Sequence, residues 1–226
     1  MPVNEKPSAV PLYQRAQYAK GGVGRAYWDY RDRVALSFLD KGDRRIVDVG
    51  CGEGITLERV AKRFPSSEIA GLDYMSENVE ICRAHGLPAA RGDVYNLEIS
   101  SGSADAVLLF EVIEHLDRPE AALLEIARIL KGGGKFVMIF PNDFMFKLAR
   151  LATGKFKEAA YDPGHVRQWT PRDARAALDR AGFVVRRVRA IPFLLWPLSL
   201  HCIVYAEKRV THATTPSANA AGRGAP

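Results

Sequence analysis

The chain has 226 residues, is 47% hydrophobic, and carries 32 Lys and Arg against 26 Asp and Glu, a formal net charge of +6. That length buries one sizeable core but hardly two, so one domain with appendages is expected. The basic residues are scattered rather than gathered in one block, which favours a basic solvated surface over a dedicated nucleic-acid face.

The opening stretch "MPVNEKPSAV" is polar and proline-broken, without the apolar core of a secretory leader, and the expected location is cytoplasmic. Two helical patterns follow, "PLYQRAQYAK" and "RAYWDYRDRVALSFLDKG", read as an N-terminal helical cap over residues 1–42. The three cysteines, Cys51, Cys82 and Cys202, are widely spaced and form no C-x-x-C pair, so they read as reduced and free of metal.

From Arg45 onward short β-rich runs alternate with helical patterns: "RIVDV", "LERVAKRF", "SEIAGLD", "SENVEICRAHG", "ADAVLLFE", "PEAALLEIARILKGGG", "KFVMIF". Alternation of this kind predicts an α/β fold, a doubly wound, mostly parallel sheet covered by helices on both faces, spanning residues 43–208. Ser76 is the expected N-cap of one helix, Pro119 suits a first turn, and Gly86 and Gly132 stand where C-caps belong.

Past Phe140 the pattern gives an irregular insert, residues 142–169, then a capped helix "TPRDARAALDRAG". Two runs with little between them, "FVVRRVRA" and "LHCIVYAEKRV", predict an antiparallel hairpin at the sheet edge. The apolar stretch from Ala190 to Ala206 falls short of the ~20 residues a span needs and contains Pro192, Pro197 and His201, so it does not read as a transmembrane helix. The last segment, residues 209–226, is low in complexity and expected to be disordered.

The stretch "RIVDVGCGEG", Arg45 to Gly54, sets three glycines directly after a buried strand. In an open α/β sheet ligands collect at that place, and glycines let backbone amides approach them. It is not a P-loop, since no Lys follows, nor a strict dinucleotide fingerprint, since Ile55 stands where the third glycine of G-x-G-x-x-G belongs. The next strand, "EIAGLD", ends in Asp73, nineteen residues past Gly54, where a carboxylate can accept from two ribose hydroxyls. The expected ligand therefore contains a ribose.

Taken in order, "VDVGCGEG", "GLDYMSENVE", "GDVYNLEI" and "FEVIEHLDRPEAALLEIARILKGGGKFVMIFPN" resemble the successive motifs of class I S-adenosylmethionine-dependent methyltransferases, continuously from Ile46 to Asn142. With the later "PGHVRQWTPRDARAALDRAGF", the segment "EVIEHL" is similar to the ubiquinone-biosynthesis O-methyltransferases and their small-molecule relatives. The resemblance implies a seven-stranded Rossmann-like fold, S-adenosylmethionine as cofactor and a small-molecule substrate. Carried over, it places Gly50, Cys51 and Gly52 under the methionine moiety, Asp73 on the ribose, and Tyr74 or Met75 beside the adenine. Asp93 and Val94 would read the adenine edge, while Phe110 and Glu111 would line the sulfonium and the substrate opening. It also gives Tyr18, Tyr27, Trp28 and Arg31 two readings, a lid over the cofactor or ordinary core packing.

Methyl transfer from a sulfonium is an in-line substitution, so the protein must align the partners and, for a hydroxyl or amine, remove a proton. Glu111, Glu114 and His115 are the first candidates, since on a helix positions i, i+3 and i+4 share a face. His165, in "PGHVRQW", is the other. Orienting, general-base and metal-binding roles stay open for this group; no metal is expected, and the alternative set would be Glu111, Glu114 and His115. His85 and His201 read as structural.

No N/D-P-P-Y/F segment follows the fourth strand and no RNA-binding module is present, so a nucleic-acid target is not expected. Methylation of an amine or of a nucleic-acid or protein target, or a non-catalytic adenosylmethionine-binding role, remains the alternative to an oxygen nucleophile. In "NDFMFKLARLATGKFK", Phe144, Met145, Leu148 and Leu151 fall near one helical face, with Lys147, Arg150, Lys155 and Lys157 around it. That segment, 142–157, and the nearby 191–198 either pack on the sheet or form a basic-rimmed lid that admits a hydrophobic acceptor and touches a membrane surface.

Overall fold

The structure, a computed structural model, describes residues 14–152 and 164–210. The start of the first helical pattern, the middle of the 142–169 insert with Lys155 and Lys157, and the tail from residue 211 lie outside the described residues.

Seven strands form one sheet: β1 (Arg45–Val49), β2 (Glu68–Asp73), β3 (Ala89–Arg91), β4 (Ala104–Phe110), β5 (Leu130–Pro141), β6 (Phe183–Ile191) and β7 (His201–Lys208), in the order β3-β2-β1-β4-β5-β7-β6. Strands β1 to β5 run parallel, and β7 lies antiparallel between β5 and β6. The edge hairpin is as expected, with its second strand on the inside. The strand order reverses between β1 and β4, which opens a crevice at their carboxyl ends.

Side chains alternate across the pleat, and both faces are buried. Val47, Val107, Leu109, Phe136 and Met138 face α5 (Pro119–Ile129) and α7 (Pro171–Arg180), which contribute Leu123, Ile126, Ala177 and Leu178. Ile46, Ala106, Leu108, Val137 and Ile139 face the other layer, which includes Val60 of α3 (Ile55–Arg63) and Val34 and Ala35 of α2 (Gly22–Leu36). Thr170 closes α7 with a reciprocal capping box, its hydroxyl accepting from the Asp173 amide while the Asp173 carboxylate accepts from the Thr170 amide.

Some local expectations shift. Met75, not Ser76, is the N-cap of α4 (Ser76–Ala84), because the chain is still extended at Met75 and the Asp73 carboxylate accepts the Met75 amide in its place. Gly132 caps nothing: α5 runs straight into β5, and the left-handed residue there is Gly133. The insert opens with a regular helix, α6 (Asp143–Ala152), none of whose residues is buried.

The helical cap is fastened by charge as well as by apolar contact. Asp32 on α2 is completely buried; its carboxylate accepts from Arg31 Nε at 2.9 Å and Thr56 Oγ1 at 2.8 Å, and pairs with Arg59 on α3. Arg59 also reaches Asp29, which accepts from the hydroxyl of Tyr18 on α1 (Gln14–Ala19). Removing one partner of such a set leaves buried charge uncompensated. Asp32→Ala is therefore expected to lower unfolding stability by about 3–5 kcal/mol in urea titration, whereas a loss below about 1 kcal/mol would place the cap's attachment in its apolar face alone.

Candidate active site

Gly50, Gly52 and Gly54 all take positive φ, at 74°, 54° and 81°, so the loop after β1 is one that a side chain would strain at three positions. A Cβ on Gly50 would lie 2.2 Å from Val112, and one on Gly52 2.8 Å from the Gln14 side-chain oxygen. The loop is pinned from beneath: the Gly50 and Cys51 amides donate to Leu72 O, and the Gly52 amide donates to Asp73 Oδ2 at 2.8 Å. From above, the buried Glu53 carboxylate accepts the Gln14 and Arg15 amides at 2.8 and 2.7 Å and so caps α1, while Arg15 Nε returns a bond to Glu53 O.

Asp73 ends β2 as a buried carboxylate. Its Oδ1 accepts from the Met75 amide and Asn78 Nδ2, and its Oδ2 from Gly52 alone, which leaves acceptor capacity on the side of the glycine loop. Tyr74 is exposed with the Arg91 guanidinium 5.3 Å over its ring, and Asp93 is exposed, accepting the Tyr95 amide. Val94 is half-buried against the core, and Phe110 is buried at the end of β4. Left-handed glycines under an open acidic acceptor suit a cofactor with a ribose and an extended tail, so the residues fit the group that the motifs imply.

Glu111, the next residue, stands at φ 56°, a left-handed conformation uncommon for a side-chain-bearing residue. Its Oε1 is paired with Arg31 and lies 2.8 Å from His201 Nε2, while Nδ1 of the same imidazole lies 2.8 Å from the Tyr27 hydroxyl. A carboxylate only accepts, so Nε2 carries the proton and the tyrosine donates to Nδ1. Burial raises the Glu111 carboxyl, but Arg31 and then His201 outweigh it and hold the group well below the usual carboxylate range. Burial also lowers His201 against the pull of Glu111, which keeps the imidazole neutral.

Beyond Glu111 the chain makes only a short 3-10 turn, Ile113–His115, instead of the helix that would put Glu111, Glu114 and His115 on one face. Glu111 therefore turns toward α2 and β7, and Glu114 and His115 turn toward the chain at 164–167. Glu114 is buried with both carboxyl oxygens unpartnered, and burial first, then Glu111, raises it well above the ordinary carboxylate range. His115 packs edge-on to His165 at 4.7 Å, and His165 Nδ1 lies 2.8 Å from Asp143 Oδ2. Burial and then His165 lower the His115 imidazole. One ligand atom each from Glu114, His115 and His165 lies within 4.8 Å of the others, so a divalent ion would be held there and not by the set with Glu111.

Of the residues singled out in the sequence, Gly50 to Gly52, Asp73, Asp93 with Val94, and Phe110 to His115 lie at or just past the carboxyl ends of β1, β2, β3 and β4 in turn, and His165 joins them through His115. Of the N-terminal aromatics, Tyr18 stacks on Trp28 at 6.1 Å and Tyr27 joins His201. Two groups that the pattern did not single out join them. Asp143 orients His165, and His201, which read as structural, stands against Glu111; only the placement of His201 at the start of a strand neighbouring the "FPN" end hinted at this.

A family profile described as a methyltransferase domain matches residues 47–138. A protein from Mycolicibacterium smegmatis, named a probable S-adenosylmethionine-dependent methyltransferase, is 30% identical over 188 residues, covering 81% of this chain and 69% of that protein. A ubiquinone biosynthesis O-methyltransferase from Xanthomonas oryzae is 34% identical over 107 residues, 44% of each chain, so the match spans less than half of that relative. Among solved structures, a SAM-dependent methyltransferase from Archaeoglobus fulgidus superposes with a TM-score of 0.67 at 19% identity, covering 87% of this chain and 99% of that one, which shows the shared fold.

One buried acid beneath the loop has a consequence for stability. Burial, then Asp32 and other nearby acidic groups, pushes the Asp48 carboxyl up to about 8, against about 3.9 in an unfolded chain. A raised folded-state pKa gives a contribution that is complete below about pH 4 and is lost as pH climbs toward about 8. In denaturant titrations Asp48→Asn should therefore gain on the wild type steadily between those limits; parallel pH profiles would show Asp48 to be ionised in the fold.

Proposed function

This chain belongs to the S-adenosylmethionine-dependent methyltransferases, and on that premise we propose that it methylates an oxygen nucleophile on a hydrophobic small molecule. The observation that carries this is a pair of polar groups at the ends of neighbouring strands: the left-handed glycine loop after β1, bonded to Asp73 at the end of β2, and the cluster of Glu114, His115 and His165 that begins after β4. When bound, the cofactor supplies an electrophilic methyl group on a sulfonium. Gly50, Cys51 and Gly52 would cradle its methionine end, Asp73 would accept from its ribose, Tyr74 or Met75 would flank the adenine, Asp93 and Val94 would read the adenine edge, and Phe110 would line the sulfonium side.

His165 is the best-placed proton acceptor: Asp143 holds Nδ1 and thereby fixes the tautomer, which leaves Nε2 for the acceptor's hydroxyl. His115 supports it edge-on, and the buried Glu114, its carboxyl held high by burial and then by Glu111, completes the cluster. Two variants separate the roles. Asp73→Ala should weaken cofactor binding roughly ten- to a hundredfold, since hydrogen bonds to charged groups are worth about 1.5–3 kcal/mol. His165→Ala should leave calorimetric affinity unchanged and lower kcat by about two orders of magnitude or more. Unaltered cofactor affinity in a folded Asp73→Ala protein would remove the ribose assignment.

The hydrophobic acceptor follows from the surface beside the cluster. On α6 Phe144 is 67% exposed, and on the chain between β6 and β7 Phe193 and Leu195 are 64% and 62% exposed. Asn142 joins the two segments by donating to Trp196 O at 3.0 Å. Lys147 is exposed on the same helix. Apolar area with cationic neighbours suits a lipid surface with anionic headgroups as the source of the acceptor. No helix among the described residues is long and apolar enough to cross a membrane, so the contact would be peripheral. Co-sedimentation with anionic but not neutral vesicles is expected, and it should be lost when Phe144 and Phe193 become Ser while cofactor affinity persists. Sedimentation with neither vesicle type would restrict the acceptor to the aqueous phase.

A further inference from the structure

Glu111 is held in a way that its sequence neighbours do not explain. Its backbone is left-handed at φ 56°, a conformation that persists only where the surroundings over-determine it. Both of its side-chain partners converge on one oxygen: Arg31 and His201 engage Oε1, and no described residue bonds Oε2. The side chain is 39% exposed, whereas those of Arg31 and His201 are 8% and 2% exposed. The carboxylate is therefore clamped from behind and open in front. Arg31 is itself engaged by Asp32 through Nε, and His201 by Tyr27 through Nδ1, so neither partner is free to turn toward a ligand. Phe146 of α6 packs against the same imidazole in a T-shaped pair, ring centroids 4.9 Å apart.

We propose that Arg31 and His201, with Tyr27 behind the imidazole, are positioning residues that present Glu111 Oε2 to the methyl acceptor as a fixed hydrogen-bond acceptor. This rests on the methyltransferase reading given above and adds to it a discrimination. A hydroxyl donates its single O–H to Oε2 as it binds, and that proton passes to His165 only as the oxygen takes the methyl group, so one proton serves the two steps in turn. A carboxylate acceptor brings no donor and meets a like charge, because the guanidinium behind Glu111 is already shared with Asp32. The clamp thus selects neutral hydroxyl acceptors over carboxylic acids of similar shape and favours ether over ester products. Glu111 itself orients the acceptor and is not the base, since its partners keep it a weak one.

The test uses the full-length protein, labelled S-adenosylmethionine and matched acceptors: phenols and long-chain alcohols against benzoates and fatty acids, with products assigned by mass as ethers or esters. The wild type should yield ethers at least about tenfold faster than esters. His201→Leu should raise the hydroxyl acceptor's KM about tenfold or more, with cofactor affinity unchanged by calorimetry. His201→Gln, whose amide N–H can donate where Nε2 does, should recover most of that loss, a rescue that a purely structural role for the ring would not produce. Because His201→Leu removes a buried polar group and could unfold the chain, His201→Gln and Tyr27→Phe are measured alongside it; Tyr27→Phe should raise KM a few-fold, about a third of the His201→Leu effect on a logarithmic scale. Esters formed as fast as ethers, no ether from any hydroxyl compound while the cofactor binds, or equal KM in His201→Gln and the leucine variant would each overturn the clamp. Failure of the wild type to bind S-adenosylmethionine would instead overturn the reading on which it rests.

Discussion

The buried carboxylate of Asp32 is the interaction on which the arrangement of the site depends. It lies between two guanidiniums and a threonine hydroxyl: Arg31 is its neighbour on α2, and the other two contacts tie α3 to α2. Arg59 and Thr56 bring in α3, the helix that begins as the glycine loop ends, so the cap is registered against the loop itself. Arg31, held by its neighbour, is left with one direction in which to extend, toward the end of β4. The guanidiniums of Arg25, Arg31 and Arg59 face the carboxylates of Asp29, Asp32 and Glu111, with Asp32 completely buried between its partners and Asp29 and Glu111 at the rim.

The left-handed turn at Glu111 then sorts the polar groups into two sets. With ordinary helical geometry the motif would have made one crowded face of two carboxylates and an imidazole, where like charges would have raised one another's pKa. The turn gives the two carboxyls different partners and opposite biases: Arg31 and His201 hold Glu111 low, while burial and then Glu111 itself hold Glu114 high. Two acids three residues apart can thereby serve different ends, because their environments and not their types set the charge.

Much of this was legible in the chain. The alternation of buried runs and helical patterns, the three glycines after "RIVDV", the aspartate closing the second strand and the Thr170 capping box all depend on local periodicity or on steric demands within a few residues. What was not legible depends on distance and on single dihedrals. His201 meets Glu111 across ninety positions and Tyr27 across 174, and nothing local marks a histidine in an apolar strand as a partner for either. The direction of Glu111 turns on one φ angle, which no hydrophobic period encodes. Ser76 was misplaced by one residue because a carboxylate earlier in the chain, Asp73, accepts the Met75 amide, so the helix starts without a side-chain cap of its own.

The bond between Glu53 and α1 has a wider bearing. Its carboxylate accepts the first two described amides of the chain, and its own carbonyl, set between Gly52 and Gly54, takes the Arg15 side chain in return. On the reading proposed above, in which the glycine loop is the floor of the cofactor site, one residue thus belongs to that floor and holds the first helix to it. Whatever pulls on the N-terminal helix pulls on the glycine loop, so on that reading entry and exit of the cofactor would not proceed by moving a rigid cover over a rigid floor. An affinity measured after trimming, tagging or immobilising the N-terminus reports on a changed floor as much as on a missing cover, and exchange kinetics at the groove carry the stiffness of both.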